Sequence, residues 1–346
     1  MDSRYLLLFF DQNQLRRPKT IWQLLTAKLT TSTLYGGLRY DLLSYIKTPL
    51  EMNALQYEKS LQELIAKGWL EVNEEQYLLT AAGLQQKKHF FATHPYLCLT
   101  QPGLFAHIDL QLWNARLLLV VQAVSELCHQ NAHYYPCVED VFVQATIKRW
   151  FKQIGKENAC AIIKESLNEF LKAQDIKQAT IFSAQLVGHE FSGFTKQQIA
   201  QQFLLSPAEV SFIWSDLASG YAYFLQTHYP KAKVLLDGVF KVNILSASAQ
   251  ETFNLFKQGV SLNQIAQIKK VKVSTVQEHL LNAAILSPDF DFDVFLNKQI
   301  RLFLIKHLGS DIDAWNYQKV AEKIDFFRFR LYEIEKSKER NAYGET

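Results

Sequence analysis

From Leu255 to Leu280 the apolar residues Leu255, Phe256, Leu262, Ile265, Ala266, Val271, Val276 and Leu280 recur at helical spacing, interrupted by short polar turns. Gly259 stands where the first of these helices should stop. Ser261 is the expected N-cap of the second helix and Ser274 of the third, because a serine oxygen there accepts the unpaired N–H groups of the first turn. The spacing predicts a helix-turn-helix. An upstream stretch has the same grammar. Phe194–Trp214 aligns without a gap onto Val260–Leu280, at an offset of 66 residues. Thr195 meets Ser261, Gln198 meets Gln264, Ile199-Ala200 meets Ile265-Ala266, and Val210 meets Val276. The copies differ where they would touch a partner. Phe203-Leu204-Leu205 stands opposite Lys269-Lys270-Val271, and Glu209 opposite Thr275. The first copy therefore reads as a packing or protein-contact unit and the second as the nucleic-acid candidate.

The first ninety residues pattern as a winged helix. Tyr5–Phe10 is a first apolar helix, Thr20 caps Ile21–Ala27, and Thr30 or Thr31 caps a helix through Leu34, Leu38, Leu42 and Tyr45, broken by Pro49. Leu55–Ala66 is amphipathic and ends at Lys67-Gly68. Trp69–Val72 and Gln76–Leu79 alternate as a two-stranded wing, and Thr80 opens a closing helix. Between Leu97 and Val187 long helical patterns follow: Gln111–Gln130, with Leu112, Ala115, Leu118, Leu119 and Gln122 inward, then Val138–Ile154 and Asn158–Ala173. Two more helices, Asp293–His307 and Tyr317–Lys338, close the chain, with polar residues from about Lys336 expected to fray. The fold class expected is mostly α. It comprises an N-terminal winged helix-turn-helix (1–92), a helical middle module (97–190), a helix-turn-helix-like segment (191–240) and a C-terminal helix-turn-helix bundle (246–340).

Composition narrows the chemistry. A net charge of +3 gives no global basic field, so nucleic acid would have to be met by local patches. One such patch is present: residues 241–287 hold five lysines against Glu251 and Glu278. Lys269, Lys270 and Lys272 sit just before the third helix, where a DNA phosphate lies in this arrangement. Ser274, Thr275, Gln277 and His279 would face the groove. Arg16, Arg17 and Lys19 precede a helix start and could grip a phosphate, with a solvated turn as the alternative. The four cysteines form no C-x-x-C pair and read as reduced, mostly buried thiols. No apolar run reaches membrane length, so a soluble cytoplasmic protein is expected.

No phosphate-binding loop, dinucleotide fingerprint, H-E-x-x-H or G-x-S-x-G is present, which argues for a non-enzymatic protein without cofactor. Asp289, Asp291 and Asp293 alternate like the start of a calcium loop, but the sixth and twelfth places hold Val294 and Ile300. These aspartates read instead as helix-start residues. His129 and His133, four apart at a helix end, lack a third ligand at zinc spacing.

The residues Ser248, Thr252-Phe253, Leu255-Phe256, Gly259, Ser261, Ile265-Ala266, Ser274-Thr275-Val276 and His279-Leu280 make Ser246 to about Arg340 similar to the helicase-associated helix-turn-helix domain at the end of some RecQ-type helicases. With Lys28, Thr31-Ser32-Thr33, Tyr134-Tyr135-Pro136 and Thr195–Trp214, most of the chain resembles the YpbB family of Firmicutes. The resemblance implies a DNA-binding accessory protein, encoded beside a RecQ-type helicase and so a possible partner of it, in repair or replication. One departure stands in the turn. Family members often carry Arg there and this chain has Ile268-Lys269-Lys270. Charge is kept, but the two-pronged recognition of phosphate or guanine is lost. Two rivals remain: a protein-interaction adaptor without DNA contact, and a winged-helix transcription regulator.

Overall fold

The structure is a computed structural model that describes residues 1–48, 50–98, 102–240 and 244–344. Pro49, expected to break a helix, lies outside them. The chain is mostly helical. After a 3-10 helix at Ser3–Phe9 come α1 (Pro18–Leu25), α2 (Thr31–Arg39), α3 (Ala54–Ala66), β1 (Leu70–Asn73), β2 (Gln76–Leu79) and α4 (Ala81–Thr93). Next are α5 (Leu110–Cys128), α6 (Val141–Ile154), α7 (Lys156–Lys172), α8 (Ile176–Ser183), α9 (Lys196–Phe203) and α10 (Pro207–His228). The chain closes with α11 (Ala247–Lys257), α12 (Leu262–Lys269), α13 (Val273–Leu286), α14 (Lys298–Leu308) and α15 (Phe326–Gly344). β1 and β2 pair antiparallel, Leu70 opposite Leu79 and Asn73 opposite Gln76. No helix among the described residues is long and apolar enough to cross a membrane.

The four segments read from the sequence gather into two compact units. One comprises Met1–Tyr5, Thr48–Asn53 and Gln85–Val242; the other comprises Leu6–Lys47, Ala54–Leu84 and Asn243–Thr346. In the first, α10 runs through the core, packing on α5, α7, α8 and α9. Its apolar length leaves no separate core for residues 191–240. Trp113 donates from its indole to the Ala218 carbonyl at 2.7 Å, and Ser166 and Tyr221 share a buried hydrogen bond of 2.8 Å. Burial of each indole and phenol is thus matched by a hydrogen bond. In α5 the buried seam is Trp113, Leu117, Val120 and Val124, with Leu119 and Gln122 beside it. Leu112, Ala115 and Leu118 are only half-buried, so the inward face is rotated from the expected one.

In the second unit, α13 is the central helix. It packs against α11, α12, α15 and α2. The end of α15 is tied to α2: Asn341 donates to the Leu38 carbonyl at 2.9 Å and Arg340 to the Arg39 carbonyl at 2.6 Å. These bonds account for α15 holding its helix to Gly344, past the expected fraying point at Lys336. Further local readings shift in register. Arg17, not Thr20, is the N-cap of α1, and Pro18 fixes its first turn. Thr30 caps α2 by accepting from Thr33. α14 starts at Lys298 behind the Asn297 cap, and α15 at Phe326, so both begin later than the periodicity suggested.

Candidate nucleic-acid interface

The two copies of the helix-turn-helix share one backbone. Thr195 and Ser261 each form a full capping box, with Gln198 and Gln264 respectively. Ile199 and Ile265 are both fully buried, as are Val210 and Val276. Each first helix ends on a left-handed residue: Leu204 at φ 55°, ψ 46°, and Lys270 at φ 53°, ψ 44°. Each second helix starts from an extended N-cap: Ser206 at φ −75°, ψ 151°, and Lys272 at φ −72°, ψ 152°. The alignment therefore holds residue by residue, through the turn as well as the helices.

The copies part at that second N-cap. In the first, Glu209 is 3% exposed and its carboxylate accepts from both the Ser206 N–H and the Ser206 hydroxyl at 2.8 Å. An anion of the chain itself thus sits on the positive end of α10. In the second, Lys272 is the N-cap and offers no side-chain acceptor. The structure corrects the expectation that Ser274 caps α13: it is the second residue of the helix, because the extended N-cap geometry falls on Lys272. The N–H groups of Lys272, Val273 and Ser274 have no partner among the described residues. Thr275, which replaces the glutamate, supplies no charge. The result is an open helix N-terminus with Lys270 and Lys272 exposed beside it, an arrangement that attracts anions.

The remaining candidates divide by what comes alongside them. Lys269 is withdrawn from the cluster. It is ion-paired to Glu251 on α11, and its side chain is only 7% exposed. His279 does not face a groove either: its Nδ1 shares a 2.8 Å hydrogen bond with the Thr252 hydroxyl. Burial, then the nearby Lys269 ammonium, holds its pKa below the usual 6.5, so at neutral pH the ring adds no positive charge. Ser274 is exposed, while Thr275 and Gln277 are half-buried. From Leu280 on, α13 is buried against its neighbours, leaving little more than its first turn and Glu278 to a partner.

At the other end of the same unit, Arg16 is corrected from phosphate ligand to structural residue. It is 9% exposed, and its guanidinium donates to the Phe9 carbonyl at 3.0 Å and to Gln14 at 3.1 Å. Its backbone bridges Tyr77 of the hairpin. Arg17 and Lys19 are exposed at the start of α1, which has no side-chain cap.

The other candidates have internal partners. Asp289 pairs with Lys257 at 3.2 Å, Asp291 accepts from the Asp293 N–H at 2.9 Å, and Asp293 pairs with Arg301 at 2.7 Å. His129 stacks on His189 with ring centroids 4.5 Å apart. His133 lies beyond the end of α5, so the two do not share a helix face. Cys98, Cys128 and Cys137 are exposed and Cys160 half-buried, correcting the expected burial: the first three sit in loops or at a helix end. Sequence reasoning missed the pairing of His189 with Glu126 at 2.7 Å, for which no local spacing exists.

Residues 248–333 match the family described as a helix-turn-helix domain. The chain is also similar to Protein YpbB of Bacillus subtilis (strain 168), 22% identical over 327 residues, spanning 91% of this chain and 92% of that protein. No solved structure matches.

Proposed function

We propose that this protein is a non-enzymatic DNA-binding accessory protein. It meets the sugar–phosphate backbone at the turn between α12 and α13 and works beside a RecQ-type helicase in repair or replication. The observation that carries the DNA reading is the open start of α13. Where the first copy seats the Glu209 carboxylate, the second has unpaired N–H groups and two exposed lysines. A phosphate oxygen there replaces the missing carboxylate, and Lys270 and Lys272 neutralise its neighbours. Ser274 is the one exposed hydroxyl of this turn that can add a hydrogen bond. With α13 covered from Leu280, contact is made through the backbone with little base readout, which disfavours an operator-reading regulator. The helicase partnership rests on the resemblance of Ser246–Arg340 to the helicase-associated domain.

A salt titration of binding to a labelled duplex tests this. Two phosphates neutralised give a log–log slope of about −2. A slope of zero removes the mechanism. The burial of most of α13 also favours the adaptor reading. Capture of the helicase that survives nuclease treatment, together with absent DNA binding, would establish that reading instead.

A further inference from the structure

A cleft of about 720 Å³ opens within the second unit, lined by α1, α2, α13, α15 and the segment around Asp313–Tyr317. The volume is that of an ordinary small-ligand site. One wall belongs to the helix just described. Glu278, Leu281 and Ile285 of α13 line the cleft, and Glu278 lies four residues beyond Ser274, on the same face. The cleft therefore begins one turn along from the open helix end.

Its chemistry is mixed in a particular way. Arg39 is paired with Asp313 at 2.5 Å, and Arg330 lies 3.8 Å over the Tyr35 ring and 3.2 Å from Glu333. Those arginines are engaged. The Arg17 guanidinium, by contrast, has no hydrogen bond or ion pair among the described residues, and neither has the Glu278 carboxylate. Tyr35 is 8% exposed, and its hydroxyl faces the Glu333 carboxylate at the back of the cleft. The indole of Trp315 is covered on one face by Tyr332, nearly parallel at 5.1 Å, so a flat group in the cleft meets its other face or its edge. A free cation, a free carboxylate and flat rings suit a ligand with an anionic end and a flat, amine-bearing end. That is the chemistry of a nucleotide.

We infer that this cleft takes one unpaired nucleotide of a single-stranded DNA segment whose backbone lies on the α12–α13 turn. Arg17 meets its phosphate, Glu278 accepts from an exocyclic amine, and Trp315 stacks on the base. A base held in a duplex cannot enter, so the site gives a preference for unpaired strands. The inference rests on the proposed DNA contact and adds the form of DNA bound.

The test uses the full chain and a labelled strand of about 20 nucleotides, the same strand with a central abasic run, a duplex and a free deoxynucleoside monophosphate. Anisotropy is read together with the Trp315 fluorescence, identified by difference from Trp315→Phe. The intact strand is expected to bind about tenfold tighter than the abasic one and to quench Trp315. Arg17→Ala and Glu278→Ala should each remove much of that advantage and leave duplex affinity unchanged. Lys270→Ala with Lys272→Ala should weaken strand and duplex alike. Equal binding of intact and abasic strands overturns the inference while leaving the DNA contact standing. Failure of every DNA to bind removes both. Quenching by the free nucleotide without strand binding makes the cleft a small-molecule site and overturns the inference.

Discussion

Lys269 is ion-paired to Glu251 of α11, with only 7% of its side chain exposed. The pair divides a run of lysines that looks uniform along the chain into one structural cation and two free ones. It also sets the electrostatics of His279, whose neutral form is favoured by burial and by that same ammonium. Lys269→Ala should therefore cost about 1 kcal/mol of stability and leave DNA affinity nearly unchanged. Glu251→Gln should release the ammonium and steepen the salt slope by about one unit. Denaturant melts and salt titrations of both variants check this; a large affinity loss in Lys269→Ala would refute the division.

The comparison of Ser206 with Lys272 predicts a transplant. Lys272→Ser combined with Thr275→Glu installs the capping box of the first copy in the second. Stability should rise by about 1 kcal/mol, since two orphan N–H groups gain partners. DNA affinity should fall by about tenfold or more, because a carboxylate occupies the anion position and a lysine is lost. Unchanged affinity would show that the helix end is not the contact.

Lys270 holds a left-handed conformation at φ 53°. Lys270→Gly should relieve about 1 kcal/mol of backbone strain while weakening DNA binding. Stability and affinity are expected to move in opposite directions. A thermal melt and a binding isotherm on one sample decide it.

His279 has a pKa lowered from 6.5 by burial and by Lys269. The unfolded chain therefore binds the proton more readily than the folded one, and stability rises with pH in this window. The contribution of the neutral ring is complete above pH 6.5 and is lost as pH falls through the lowered folded value. His279→Gln should flatten the difference between urea melts at about pH 7.5 and pH 5.5. An undiminished difference would assign it to other groups.

Gly83 in α4 lies against the hairpin: a Cβ there would come within 2.1 Å of the Trp69 carbonyl oxygen. Because the obstacle is backbone, Gly83→Ala should destabilise by about 2–3 kcal/mol. Gly259→Ala meets open space but must hold φ 82°, so its smaller cost is purely conformational. Ranking the two by chemical denaturation checks the close approach.

Sequence by itself determined the repeated helix-turn-helix, with its caps at Thr195 and Ser261, and the existence of the hairpin, though its first strand runs Leu70–Asn73, one residue later than read. These are local matters: a cap, a glycine or an alternating strand acts within a few residues. The uncapped start of α13 was misread from the sequence: Lys272 aligns with Ser206, but a serine two places on is a competing local signal. Tertiary structure decided which cations remain free. Lys269, Arg16 and His279 are engaged by Glu251, by Phe9 and Gln14, and by Thr252. It likewise decided that α2 and α15 pack on α13, which forms the cleft, and that these helices with α11 and α12 cover most of the second helix of the motif. A side chain's charge is written in the chain, but its availability depends on the surface that folding brings against it.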